Sequence, residues 1–244
     1  MRGVPRLVLL RHGQSLWNQE GRFTGWTDID LSQAGREEAR AAAGRLVARG
    51  CSFDLAYTSV LKRAIRTLWI VLDEMDLMWI PIVTSWRLNE RFYGDLQGRL
   101  KGEVEARYGK EQVHRWRRGF RDRPPALPEG DVRDPRGDPR YRDLLDHQIP
   151  RTESLEDSMR RLLPIWEEQI APELHRGRRA LIVAHGNTLR ALVKHIEGIS
   201  DSEIEQVEIP TGVPLVYELD ARLTPSSRYL LCEGGLESHW GRLE

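Results

Sequence analysis

The sequence predicts an α/β fold with a mainly parallel central sheet, and three observations predict it. Short apolar runs bounded by turn residues alternate with longer segments of helical period. No internal repeat or Gly/Ser linker divides the 244 residues, so a single domain over 1–244 is expected. Forty per cent of the residues are apolar, enough at this length for a sizeable core.

The elements can be justified in chain order. Leu7–Leu10 is the first strand, a short apolar run opening into Arg11-His12-Gly13. That run is too short for a secretory signal, and a membrane span needs about 20 apolar residues. A cytoplasmic location with no membrane partner is therefore expected. Ser32 can cap a helix whose apolar stripe is Ala39, Ala42, Ala43, Leu46 and Val47, with Gly50 ending it. Phe53–Tyr57 is the second strand, followed by Thr58-Ser59 and a helix with Lys62 and Arg63 on its first turns. Ser154 with Asp157 resembles a capping box before Leu155, Met159, Leu162 and Trp166, and Pro164 should bend that helix. Ala180–Ala184 is the clearest strand, leading through His185-Gly186-Asn187 into a helix that ends near Gly198. Leu215–Glu218 and Tyr229–Cys232 are weaker strand candidates. Residues 121–150 are dense in Arg, Asp, Pro and Gly, and read as an irregular excursion. A stretch of this kind is functional, mobile or a solvated surface loop.

Composition narrows the function. Lys plus Arg number 37 and Asp plus Glu number 37, a net charge of zero that argues against a general polyanion binder. No nucleic-acid partner is expected, although Arg115–Arg123 interleaves basic and aromatic residues. Cys51 and Cys232 have neither a disulfide framework nor metal-ligand spacing. No Walker-type loop, GxGxxG or HExxH occurs.

Polar residues gather where strands end. In open α/β sheets, ligands bind outside the carboxyl ends of the strands. His12 and His185 each follow an apolar strand and precede a glycine that lets the backbone approach a ligand closely. Such a pair suits phosphoryl transfer. A neutral imidazole is a good nucleophile at pH 7, and Arg11, Arg63 and a second histidine can stabilise charge on the transferring group. His114, His147, His175, His195 and His239 read as ordinary packed or surface residues.

The segment Val8-Leu9-Leu10-Arg11-His12-Gly13-Gln14-Ser15-Leu16-Trp17-Asn18, followed by Phe23-Thr24-Gly25-Trp26, resembles the 2,3-bisphosphoglycerate-dependent phosphoglycerate mutases of the histidine phosphatase superfamily. Further blocks agree, among them Tyr57–Ala64, Leu88–Arg91, Tyr93-Gly94, Trp116–Phe120, Ala184–Asn187 and Ile209–Pro214. The resemblance implies a three-layer α/β/α, phosphoglycerate mutase-like fold. It implies His12 as a nucleophile carried as phosphohistidine and Glu90 as proton donor and acceptor. His185, Arg11 and Arg63 would hold the transferring phosphoryl. Asn18, Thr24, Gly25, Arg91, Tyr93, Lys101, Arg117, Arg118, Gly186 and Asn187 match positions that bind the substrate. The implied activity is interconversion of 2- and 3-phosphoglycerate, an isomerase reaction primed by 2,3-bisphosphoglycerate without a metal. A small phosphorylated acid is the implied partner, and a homodimer or homotetramer the implied assembly.

Three departures stand beside the resemblance. Phe92 occupies a position where the family usually has histidine, and Leu100 replaces a polar residue before Lys101. The tail from Cys232 carries Gly234-Gly235, which disfavours the helical extension that closes over the site in the family. The expectation is altered closure with more hydrolysis. A phosphatase or bisphosphoglycerate synthase of the same superfamily is the alternative, and a non-catalytic binding module a further one.

Overall fold

The computed structural model describes residues 6–233 and 235–237. Seven strands form one sheet in the order β3-β2-β4-β1-β5-β6-β7. They are β1 (Arg6–Arg11), β2 (Leu55–Thr58), β3 (Ile82–Thr84), β4 (Ala180–Ala184), β5 (Pro214–Leu219), β6 (Pro225–Cys232) and β7 (Gly235–Glu237). The first four lie parallel in the sheet, and β5–β7 add an antiparallel meander at one side. The helices are α1 (Leu16–Gln19), α2 (Gln33–Ala48), α3 (Lys62–Glu74), α4 (Lys101–Tyr108), α5 (Lys110–Arg118), α6 (Leu155–Ile165), α7 (Ala171–His175) and α8 (Gly186–Glu197).

The central strands β1 and β4 carry unbroken apolar runs because both faces of the sheet are covered there. Leu7 and Leu9 pack with Leu162, Ile182, Leu189 and Leu192, while Val8 and Leu10 pack with Ala42, Leu46, Leu68 and Val183. Period-two alternation thus sends successive residues of β1 into two separate cores, the expected result for a parallel strand between helical layers. The α2–α3 pair covers one face and α6–α8 the other, which makes the three-layer α/β/α architecture.

Local signals held where they were strong. Ser32 Oγ accepts from the Gly35 amide, and Ser154 and Asp157 form a reciprocal capping box. Gly198 ends α8 in the left-handed region at φ 65°, a conformation that disfavours any residue with a Cβ. Pro164 lies inside α6, and the disturbance it was expected to cause is followed by a π-helical turn over Trp166–Ile170. Unread in the sequence were the short elements β3, β7, α1 and α7, and the helices α4 and α5, which meet at Gly109.

The excursion over 121–150 is irregular, as expected, but it is packed rather than merely solvated. Leu127, Tyr141 and Ile149 are buried against Trp26 and Phe92. Asp134 and Asp138 each cap a short 3₁₀ turn, and the Tyr141 hydroxyl accepts from Asn89. No described helix is long and apolar enough to cross a membrane. The tail expected to alter closure lies mostly outside the described residues, as does His239.

Candidate active site

Three parallel strands deliver chemistry to one edge. Because β2, β4 and β1 are neighbours, the residues after their carboxyl ends meet, and the His12 and His185 rings lie 5.0 Å apart, edge to face. The His12 amide donates to the Ala184 carbonyl at 3.0 Å, which ties the two strand ends together. Gly13 is needed for a different reason from the one its position suggested. A Cβ there would collide with the Gly35 carbonyl, so the turn packs onto the start of α2, whereas Gly186 lines the cavity.

Hydrogen bonds settle which nitrogen of His12 can react. Its Nδ1 lies 2.7 Å from the Gly13 carbonyl, an acceptor only, so Nδ1 carries the proton. Nε2 therefore holds the lone pair and accepts from Arg63 Nε at 3.3 Å. Burial, then the charges of Arg63 and Arg11, push the His12 pKa well below the usual histidine value. The ring is neutral at physiological pH, the form that a nucleophile requires.

Arg63 is held in place by the Thr27 and Gly25 carbonyls at 2.9 and 2.8 Å. Burial lowers its pKa to about 10, which leaves it charged. Arg11 donates to the Ile209 carbonyl at 2.9 Å, while its Nε is buried with no protein partner. His185 Nε2 lies 2.8 Å from Ser59 Oγ, which already accepts from the Leu61 amide. With that acceptance made, the Ser59 hydroxyl can donate to Nε2, and His185 Nδ1 is then an N–H. That Nδ1 is buried and unpartnered. Burial and the Arg63 charge hold its pKa, too, well below the usual value. Arg11 Nε and Thr24 Oγ1 are thus orphaned polar atoms of residues that line one cavity, as an anion site requires, and His185 Nδ1 is a further orphan, adjacent in sequence to the lining residue Gly186.

Glu90 Oε1 accepts from the Arg91 and Asn187 amides at 2.8 and 3.2 Å. Trp26 Nε1 and Arg161 fix the Glu90 carbonyl, and Arg161 in turn forms a buried pair with Glu153 at 2.7 Å. Phe92, standing where histidine was expected, supplies packing: it is fully buried beside Trp26, and its amide donates to Glu153.

The cavity these residues line has a volume of about 310 Å³. Arg11, His12, Asn18, Thr24, Gly25, Arg63, Glu90, Tyr93, Lys101, Arg117, Arg118, Gly186 and Asn187 are brought together in its lining. Leu100 caps α4 without a side-chain hydrogen bond, yet Lys101 still reaches the cavity. Burial and Arg117 lower the pKa of Lys101. His185 is placed behind the lining, beside His12. Arg91, too, stands behind the lining. It is fully buried outside the lining, with its guanidinium 4.6 Å from the Tyr93 ring centroid and bonded to the Arg117 carbonyl. Its Nε and one terminal nitrogen are buried without a protein partner, and its packing on Tyr93 supports a residue of the lining.

Arg22, Phe23, Arg190, Glu208 and Ile209 also line the cavity and were not anticipated. Arg190 sits three residues after Asn187 on α8, a spacing that puts both on one helix face. Its guanidinium donates to Asn187 Oδ1 and to the carbonyls of Arg117, Arg118, Ile204 and Val207. It therefore clamps α5 and the 203–209 segment to the catalytic edge. The aromatic residues of the basic stretch at 115–123, Trp116 and Phe120, are buried rather than displayed.

Comparison with known proteins agrees with this arrangement. A model of the histidine phosphatase superfamily (branch 1) matches residues 7–136 and 133–222. A mycobacterial glucosyl-3-phosphoglycerate phosphatase solved with VO3 is 27% identical, covers 87% of this chain and 92% of its own, and superposes with a TM-score of 0.66. A mycobacterial hydrolase shares the fold at 24% identity and a TM-score of 0.70, over 93% of this chain and 97% of that one. The alpha-ribazole phosphatase of Shigella flexneri shares it at 22% and 0.63, over 90% and 93%. With the family model spanning most of its length and the paired histidines at adjacent strand ends, this chain belongs to branch 1 of the histidine phosphatase superfamily.

Proposed function

We propose that this chain is a phosphatase that hydrolyses a small phosphomonoester through a phosphohistidine at His12. The observation that carries the reading is the state of His12: Nδ1 is committed to the Gly13 carbonyl, and Nε2 offers its lone pair within a cationic cavity. Seven cationic side chains line that cavity against two carboxylates, which suits a phosphate dianion. Support for hydrolysis over isomerisation comes from the likeness to the mycobacterial phosphatase at 27% identity.

The route uses the chain's own side chains. The phosphoryl group sits among Arg11, Arg63 and His185, whose unpartnered Nε–H and Nδ1–H meet its oxygens. His12 Nε2 attacks phosphorus, the bond to the leaving oxygen breaks, and Glu90 passes a proton to that oxygen. Glu90 then takes a proton from water as the water oxygen attacks phosphorus. The N–P bond breaks, its electron pair returns to Nε2, and phosphate leaves.

A second reading is favoured by one observation: Lys101, Arg117 and Arg118 jointly line the outer cavity, where they could hold a carboxylate. On that reading the reaction is the interconversion of 2- and 3-phosphoglycerate. A bisphosphorylated primer would lie between these residues and Arg11 and Arg63, supplying the phosphoryl group that His12 carries. Incubation with 3-phosphoglycerate and a panel of phosphomonoesters, with and without 2,3-bisphosphoglycerate, separates the two. Phosphate release independent of added bisphosphate is expected. Bisphosphate-stimulated formation of 2-phosphoglycerate without phosphate release would overturn the hydrolytic reading.

A further inference from the structure

The cavity has two zones with different charge balance. Its inner cations, Arg11 and Arg63, make no ion pair among the described residues and spend their hydrogen bonds on backbone carbonyls and His12. The outer arginines are compensated. Arg118 pairs with Glu208 at 2.9 Å, Arg22 with Glu20 at 2.6 Å, and Arg117 with Glu105 at 3.9 Å. Of these three carboxylates, only Glu208 itself lines the cavity.

We propose that Glu208 sets leaving-group specificity: it occupies Arg118 and selects phosphomonoesters whose alcohol carries hydroxyl groups over those whose alcohol carries a second anion. The inference rests on the hydrolytic reading for the chemistry, but its geometry is independent. A carboxylate on the leaving group must displace Glu208 from Arg118 and then lie beside a like charge. A hydroxyl can instead donate to Glu208 Oε2 while Oε1 holds Arg118. The hydrogen bond from Arg118 and its charge hold the Glu208 carboxyl below the usual carboxylate range, so it is ionised at neutral pH. Its side chain is 68% exposed, and an ion pair so open to water stabilises the fold little. Its backbone is nevertheless anchored, because the neighbouring Val207 carbonyl accepts from Arg190 and Arg118.

A matched pair of ligands tests this. 3-Phosphoglycerate and glycerol 3-phosphate differ only in a carboxylate against a hydroxymethyl group. Dissociation constants for both are measured by calorimetry on the full chain carrying His12→Ala, which silences turnover, with Glu208 intact, Glu208→Gln or Glu208→Ala. Because 3-phosphoglycerate carries one more negative charge than glycerol 3-phosphate, the ratio retains part of the general gain in positive potential, and the control Glu20→Gln, at a carboxylate that pairs with the cavity residue Arg22 without lining the cavity itself, measures that part. The preference is expected to shift about fivefold toward the carboxylate ligand in both variants, the scale of an exposed ion pair. A ratio that shifts no further than in Glu20→Gln, or a shift the other way, overturns the proposal. Hydrolysis of the same two esters by the chain with His12 intact is scored separately. A shifted binding ratio without phosphate release leaves the specificity standing and removes the hydrolytic reading.

Discussion

The inner and outer zones of the cavity are built on different principles. His12, Arg11 and His185 stand directly after or at the ends of parallel strands, and Arg63 lies on the first turn of α3 after the third. His12, Arg11 and Arg63 are pinned by short bonds to backbone carbonyls, and His185 by one to the Ser59 hydroxyl. Lys101, Arg117, Arg118 and Glu208 stand at helix ends and in a loop, and the last three have an ion-pair partner of opposite charge. The difference teaches that chemistry and selection are carried by separate supports. A rigid sheet edge presents uncompensated charge to the reacting group, while a compensated rim can vary without disturbing it.

The contrast breaks first at the nucleophile. His12→Ala is expected to lower kcat by at least about 10⁴-fold and to abolish an acid-labile phosphoprotein, both measured by phosphate release and quenched labelling. Retained phosphoprotein would assign the nucleophile elsewhere. Next in size, Arg63→Gln removes one donor from the inner zone and one bond to Nε2, with an expected loss of about 10²-fold in kcat. A defect confined to KM would place Arg63 with the rim instead.

The buried histidines also make the inner zone the source of an acid limit. Their native pKa values lie below that of the unfolded chain, so the unfolded state binds more protons once the pH falls below about 6.5. Stability from this source is present above that pH and declines as the pH falls toward the native values. The slope approaches about 1.4 kcal/mol per pH unit for each histidine. Urea unfolding across pH 7 to 5 measures it, and His185→Gln should reduce the slope. An equal slope in that variant would locate the acid sensitivity in other groups. Smallest is the rim. Arg190→Gln should raise KM for an anionic ester about fivefold through looser Arg117 and Arg118 while kcat changes less than twofold. The lysine variant should recover little, since one ammonium cannot serve five acceptors. An equal fall in kcat would show that the clamp reaches the inner zone.

The two zones were unequally legible. His12 and His185 could be read because each directly follows a strand that is legible from an unbroken apolar run, unbroken because both faces are buried, and Arg63 because it lies on the first turn of the helix after a third strand. Arg190 and Glu208 were missed because neither stands in such a context. Arg190 looks like any polar residue on an amphipathic helix, and Glu208 like any solvated carboxylate. Arg91 shows what a motif match leaves open: it matches the family's block, and only the tertiary packing places its side chain behind the lining, on Tyr93. Phe92 and the 121–150 excursion explain each other only in space, since the phenyl ring lies in the cluster that Leu127, Tyr141 and Ile149 complete.

By itself, the sequence determined the α/β class, the caps of α2 and α6, and the residues that would stand at the strand ends. These are local consequences of periodicity, hydrogen-bonding side chains and chain order. Only the tertiary structure decided the tautomer of His12, the carboxylate already seated on Arg118, and the clamp made by Arg190. The seated carboxylate and the clamp depend on partners distant in sequence, brought within hydrogen-bond reach by the fold, while the tautomer depends on how the turn after β1 folds the Gly13 carbonyl back onto the ring.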